Sequence, residues 1–163
     1  MVRSPSGSTW RQDTAEVTET TSIRMQADVP VGQVWSVLSD YFGLAGWASA
    51  IAHSSAMTAT PAGMGASRRV ATTGGVLIEN VVDWNPLRAI AYEIVGLPSV
   101  VIRVENRWEL RPSGTGTSVT LTGVIEPGPK PAMRVAAKVI ARRLGQVNES
   151  MVSDLIAAAG DAA

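Results

Sequence analysis

The C-terminal part of the chain carries one long helical pattern, which limits the possible folds more than any other feature. It begins at Pro131, a residue favoured at the first position of a helix, and continues to about Ala159. At the usual rise per residue this helix is about 40 Å long. Its apolar stripe consists of Met133, Ala137, Ile140, Leu144, Val147, Met151 and Leu155. Such a helix needs a large partner surface to cover the stripe.

The segment between Ile51 and Gly128 has the pattern of that partner surface. Pro, Gly and Asn residues recur there at intervals, and the apolar, often β-branched runs between them lack a helical period. In residues 101–111, alternation predicts a buried face and a charged, solvent-facing side. The buried face would comprise Ile102, Val104, Asn106, Trp108 and Leu110. The segment therefore predicts an antiparallel meander of about six strands.

An uninterrupted alternation also predicts the faces of residues 76–84. Glu79 and Asp83 would then face solvent. The inward set would be Val76, Ile78, Asn80, Val82 and Trp84. Asn85 and Pro86 follow as turn residues, so this strand and residues 89–95 should form a hairpin.

The first part of the chain predicts a tail, a strand and two short helices. Residues 1–16 are rich in Ser, Thr and Gly, with Trp10 as the large apolar side chain, and predict a flexible N-terminal tail before a domain spanning residues 17–160. Residues 17–29 alternate as a strand does. Residues 31–41 show helical spacing after Pro30, and residues 42–50 suit a second helical turn.

This order of elements predicts an α+β fold. Helices are segregated from a curved antiparallel sheet of about six to seven strands, which wraps around the long C-terminal helix, and two short helices follow the first strand. A twisted sheet around one helix need not fill its interior. The small or soft side chains Met133, Ala137 and Met151 leave adaptable space. We therefore expect an apolar ligand pocket between helix and sheet.

The composition excludes several classes of function. Lys and Arg together number 14, as do Asp and Glu, so no overall positive charge attracts nucleic acid, and we expect no nucleic-acid partner. The absence of cysteine and the single histidine, His53, exclude disulfides, thiolate nucleophiles and Cys- or His-rich metal sites. We expect neither a metal nor a cofactor.

Hydropathy bears on localisation. The first residues lack the apolar region of a secretory signal, and no run approaches the roughly 20 apolar residues that cross a bilayer. We expect a cytoplasmic monomer or homodimer without stable membrane insertion.

The final helix has basic residues in its first half (Arg134, Lys138, Arg142 and Arg143) and Glu149 and Asp154 in its second. Solvation is our main interpretation of that basic face, with an anionic membrane or partner as the alternative.

Polar residues within the apolar pattern are candidates for ligand contact. Asn80 and Asn106 on strands and Asn148 on the helix should each find a partner in protein, water or ligand, because a buried amide without one costs about 1–3 kcal/mol. Gly145, in mid-helix, suggests close approach by a strand or a ligand. Arg68 and Arg69 must point to opposite faces, so one of them should point inward unless it lies at the rim. If the ligand is anionic, that arginine is its candidate anchor, and Arg68 is the one in our predicted binding set.

The predicted ligand-binding set combines these residues with the helix stripe and several aromatic side chains. It comprises Trp47, Arg68, Asn80, Tyr92, Asn106, Trp108, Met133, Ala137, Ile140, Leu144, Asn148 and Met151.

Three segments carry a family resemblance: VGQVWSVLSDYFGLAGW at 31–47, ENVVDWNPLRAIAYEI at 79–94, and GTGTSVTLTGVIEP at 114–127, followed by the long helix. With them the chain, from about residue 17 to 159, resembles the polyketide cyclase and lipid-transport branch of the START-like (SRPBCC) superfamily, which has the helix-grip fold. The resemblance implies seven antiparallel strands gripping the helix around a cavity for lipids, polyketides, aromatic compounds or plant hormones. The same fold hosts cyclases, aromatases and small mycobacterial proteins described as toxins.

Three functional hypotheses follow, because a fold does not by itself determine function. The first is non-catalytic binding or carriage of a small hydrophobic ligand. The second is a polyketide cyclase, aromatase or dehydratase, which needs a positioned acid or base. Its candidates are His53, Tyr92 and Glu79, with Arg68 in support, although alternation places Glu79 towards solvent and a solvated or structural role is favoured for His53. The third is a toxin-like or regulatory protein that uses the basic helix face.

Overall fold

A computed structural model describes residues 18–162. Its elements in chain order are β1 (Glu19–Ala27), α1 (Val31–Leu38), a 3-10 helix (Tyr41–Gly46), β2 (Ile51–Ala56), β3 (Ser67–Thr72), β4 (Gly75–Asn85), β5 (Ala89–Val95), β6 (Val101–Ser113), β7 (Gly116–Pro127) and α2 (Pro131–Asp161). The predicted α+β helix-grip fold is confirmed. The predicted N-terminal tail lies outside the described residues.

The seven strands form one antiparallel sheet. Their order is β1-β7-β6-β5-β4-β3-β2. Strands β2 to β7 form a meander, and β1 pairs with β7 as the edge strand on that side. Helix α2 packs chiefly on β1 and β7 and also contacts α1. The two short helical segments confirm the prediction for residues 31–50, and they bury Val34, Leu38, Tyr41 and Leu44.

Helix α2 begins at Pro131 as predicted and ends two residues beyond the predicted Ala159. The buried residues of α2 are Ala137, Ala141, Asn148, Met151, Val152, Leu155 and Ala159. The predicted stripe is therefore only partly buried, because its members Met133, Ile140, Leu144 and Val147 are half-buried. No helix within residues 18–162 is long and apolar enough to cross a membrane.

The predicted faces of β4 are wrong for most of the strand. Glu79 and Val81 are buried, whereas Val76 and Val82 are 45% and 36% exposed. The cause is a bulge: the pairing with β5 shifts register between Val81 and Asp83. One extra residue reverses the alternation on one side of the bulge, so an uninterrupted alternation wrongly places Glu79 towards solvent and Asn80 towards the interior.

The prediction that Ile102 faces inward is wrong, and a second bulge is the cause. The register of β6 against β7 shifts between Val101 and Arg103. Ile102 lies at that shift and is 64% exposed, while the rest of the predicted inward face, from Val104 to Leu110, is buried.

Candidate functional site

A cavity of about 380 Å³ lies between α2 and the sheet. Helix α2 contributes Ile140, Arg143, Leu144 and Val147 to its wall. The sheet and its connections contribute Ser49, Ala50, Thr72, Thr73, Gly74, Leu77, Ile94, Leu97, Pro98 and Val104. Ile94 and Val104 are buried, and Thr73, Gly74, Pro98 and Arg143 are exposed, so apolar side chains line the interior and the rim faces solvent.

The β3–β4 turn forms one edge of the rim. The Thr72 hydroxyl accepts a hydrogen bond from the Gly74 N–H at 3.1 Å and donates one to the Gly75 carbonyl at 3.1 Å. Gly75 has a φ of +128°, which glycine adopts readily. These local bonds fix the turn beside the cavity mouth.

An ion pair lies deeper in the domain. Arg68 Nη2 is 2.6 Å from Glu79 Oε2, and Arg68 Nε donates to the same oxygen at 2.7 Å. Both residues are buried, and Arg68 also donates to the Tyr41 carbonyl. The pair sits on opposed positions of β3 and β4. Glu79 therefore neutralises the charge of the residue predicted to anchor an anionic ligand.

Two tyrosines enclose that ion pair. The Arg68 guanidinium carbon lies 3.8 Å from the centre of the Tyr41 ring and 5.2 Å from that of Tyr92. Burial raises the pKa of Tyr92 to about 12, and Glu79 contributes to the rise whereas Arg68 opposes it. Burial likewise raises the pKa of Tyr41 far above its ordinary value. Both phenols therefore stay protonated near neutral pH.

The asparagines predicted to need partners find them within the protein. Asn106 on β6 and Asn148 on α2 bond to each other, and Asn106 Nδ2 lies 3.5 Å from the Tyr92 hydroxyl. Asn80 accepts a hydrogen bond from the Ser67 hydroxyl at 2.6 Å. These three asparagine side chains therefore have hydrogen-bond partners without a ligand.

The close approach predicted at Gly145 is made by strand β1. A Cβ placed on Gly145 would lie 3.4 Å from Thr21 Cγ2. A Cβ on Gly123 of β7 would lie 2.8 Å from Thr21 Oγ1 and 2.9 Å from Leu144 Cδ2. The two glycines let helix and strands pack closely. In the described part of the chain, Thr21 Oγ1 and Trp47 Nε1 are buried polar atoms without a hydrogen-bond partner.

The structure distributes the predicted ligand-binding residues over three environments. Ile140 and Leu144 line the cavity. Arg68, Tyr92, Asn106, Trp108, Ala137, Asn148 and Met151 lie in the packed interior. Trp47, with its ring 6.3 Å from that of Trp108, Asn80 and Met133 are half-buried outside the cavity wall. His53 is exposed on β2. Ligand contact by the residues outside the wall stays a prediction.

Sequence reasoning missed most of the sheet side of the cavity and its charged rim. Leu77 is not on the predicted inward face, because periodicity does not reveal the bulge in β4. Ile94, a second wall residue, lies on β5, which pairs with β4. The sequence pattern assigns Arg143 to a basic helix face whose main interpretation is solvation, and not to the cavity rim. Among residues 18–162, no three His, Asp or Glu side chains come together as metal ligands.

The sequence matches the family described as "Polyketide cyclase / dehydrase and lipid transport" over residues 14–157. The chain belongs to this family. The match covers most of the chain and includes every strand of the sheet. A comparison with curated proteins finds no sequence match.

Solved structures of this family's fold superpose well on the chain. The di-domain ARO/CYC StfQ of the steffimycin biosynthetic pathway has a TM-score of 0.75 at 14% identity, with 90% of this chain and 52% of that chain covered. The chain thus spans about half the length of StfQ. The ZhuI aromatase/cyclase of Streptomyces sp. R1128 has a TM-score of 0.67 at 19% identity, covering 89% and 93%.

A protein from Thermus thermophilus is similar to the same degree, with a TM-score of 0.70, 17% identity, and coverage of 89% of this chain and 99% of that chain. At these identities the superpositions establish the shared fold, and function must be argued from the cavity.

Proposed function

We propose that this family member binds or carries a small, mainly apolar molecule in the cavity between α2 and the sheet. The observation that supports this most is the wall itself. Its interior is formed by Leu77, Ile94, Leu97, Val104, Ile140, Leu144 and Val147. A volume of about 380 Å³ is within the range of ligand pockets, which are mostly apolar with few polar groups.

The chemistry of the wall favours binding over catalysis. A general acid or base must reach the substrate and have a pKa near the working pH. Among the described wall residues, Arg143 alone has an ionisable side chain. Glu79 is held by Arg68, Tyr92 has a pKa of about 12, and His53 is exposed outside the wall.

The family description supports a cyclase or dehydratase as the alternative function. Turnover of a polyketide substrate that is lost in Tyr92→Phe or His53→Ala would favour it. A regulatory partner, the cytoplasmic location, the oligomeric state and the absence of a nucleic-acid partner stay predictions.

A pair of variants tests the proposed binding function with the neutral fluorescent probe N-phenyl-1-naphthylamine. Ile140→Trp places a large ring into the cavity, whereas Val139→Trp places the same ring on the outer helix face, where Val139 is 67% exposed. We expect saturable fluorescence enhancement with the wild type and Val139→Trp, and its loss with Ile140→Trp. Equal binding by all three proteins, with folding verified by circular dichroism, would contradict the proposal.

A further inference from the structure

Arg143 is the charged group at the mouth of the cavity. It projects from α2 towards the β3–β4 turn, and its Nη2 atom lies 3.5 Å from where a Cβ on Gly74 would stand. Both residues line the cavity, and Gly74 places no side chain beside the guanidinium. Among residues 18–162, no carboxylate forms a salt bridge with Arg143. The guanidinium faces the rim with its donors unused by the described residues.

Unlike Arg143, most of the other polar side chains at the rim already form hydrogen bonds within the protein. The Thr72 hydroxyl is used within the β3–β4 turn. Ser49 donates from its N–H and its hydroxyl to Asp154 Oδ2, at 2.8 and 2.7 Å. Asp154 lies about 16 Å further along α2 than Arg143 and does not line the cavity. Among the described residues that line the cavity, Arg143 is therefore the one with a charged side chain.

We infer that the ligand is an amphipathic carboxylate, with its apolar body in the cavity and its head group bound by Arg143 beside Gly74. This inference rests on the proposed binding function and specifies its ligand class. A guanidinium offers two parallel N–H donors that match a carboxylate, and an apolar wall below it accepts a hydrocarbon body. The exposed Thr73, also on the rim, offers a further hydroxyl donor.

Matched probes separate this inference from the binding function. Decanoate and decan-1-ol have the same hydrocarbon chain but differ in head-group charge, and isothermal titration calorimetry measures both at constant pH and salt. Arg143→Gln removes the charge and keeps a good helix former. Arg142→Gln is the matched control, because Arg142 is the exposed neighbour outside the cavity wall.

We expect wild-type protein to bind decanoate more tightly than decan-1-ol. Arg143→Gln should weaken decanoate binding about fivefold or more and leave decan-1-ol unchanged, since a charge-assisted bond is lost. Arg142→Gln should keep the preference for decanoate. Equal wild-type affinities, or equal losses in both variants, would overturn the inference while the binding function stands. If neither probe binds, the inference fails, and the N-phenyl-1-naphthylamine titration decides the proposed function separately.

Discussion

Asn106 on β6 and Asn148 on α2 exchange two side-chain hydrogen bonds, at 3.2 and 3.0 Å, in the interior of the domain. Both side chains are almost fully buried. This pair ties the long helix to the middle of the sheet, because each amide N–H donates to the oxygen of the other amide.

Asn148→Ala should destabilise the protein by about 1–3 kcal/mol, because it leaves the Asn106 amide buried without its partner. Urea denaturation measures the free energy of unfolding. Gln146→Ala, at an exposed position of the same helix, is the control and should change it by less than about 0.5 kcal/mol. An Asn148→Ala variant as stable as this control would show that the pair contributes nothing measurable.

The buried Arg68–Glu79 pair should be sensitive to the loss of one partner. Glu79→Gln leaves the Arg68 charge uncompensated in the interior and should lower the free energy of unfolding by about 3–5 kcal/mol. Chemical denaturation checks this value.

Arg103→Gln is the control for the ion pair, because it removes the exposed partner of Glu93 and should cost less than about 1 kcal/mol. Similar losses for Glu79→Gln and Arg103→Gln would contradict the distinction between the buried and the exposed pair.

Stability should fall at alkaline pH through the buried tyrosines. The pKa of Tyr92 rises from 10.0 to about 12 on folding, so the native state holds its proton more tightly than the unfolded state. Its contribution is fully present below pH 10 and is lost as the pH rises towards 12. The buried Tyr41, whose pKa is also raised, adds to the loss.

Denaturation measured from pH 9 to 12 should show this fall, and Tyr92→Phe should make it shallower. Absorbance of the phenolate reports ionisation directly. A wild-type and a Tyr92→Phe protein with the same pH dependence would rule out Tyr92 as a contributor.

Gly123→Ala should disturb the contact between β7, β1 and α2. Its Cβ would lie 2.8 Å from Thr21 Oγ1 and 3.0 Å from Asn106 Oδ1, so we expect a loss of about 1–3 kcal/mol in unfolding free energy. Gly32→Ala on α1 is the matched control, because a Cβ there meets nothing within 4 Å. Thermal unfolding of the two variants provides the comparison, and unchanged stability in Gly123→Ala would show that the neighbouring side chains yield easily.

The fold was predictable because its periodicities are long. Helix α2 keeps its period from Pro131 onwards without interruption, and the face of β6 from Val104 to Leu110 alternates regularly. Ile140 and Leu144, on the helix side of the cavity, could therefore be identified from the sequence alone.

The position of Leu77 on the sheet side of the cavity could not be predicted, because its face depends on one inserted residue. The bulge at Val82 reverses the faces of Leu77 and Glu79, and periodicity alone does not reveal where a bulge lies. The pairing of Arg68 with Glu79 likewise depends on the register set by the β3–β4 turn. Arg143 lies at the rim because α2 packs beside the β3–β4 turn and brings its guanidinium next to Gly74. The sequence pattern of the helix and that of the turn do not reveal this contact.

Intermolecular nuclear Overhauser effects between N-phenyl-1-naphthylamine and methyl-labelled protein test the central claim most directly, because they report which side chains touch the bound probe. The account predicts contacts to the methyl groups of Ile94, Val104 and Ile140, which line the cavity. Contacts confined to Val135 and Val139, which are 65% and 67% exposed on the outer face of α2, would contradict it.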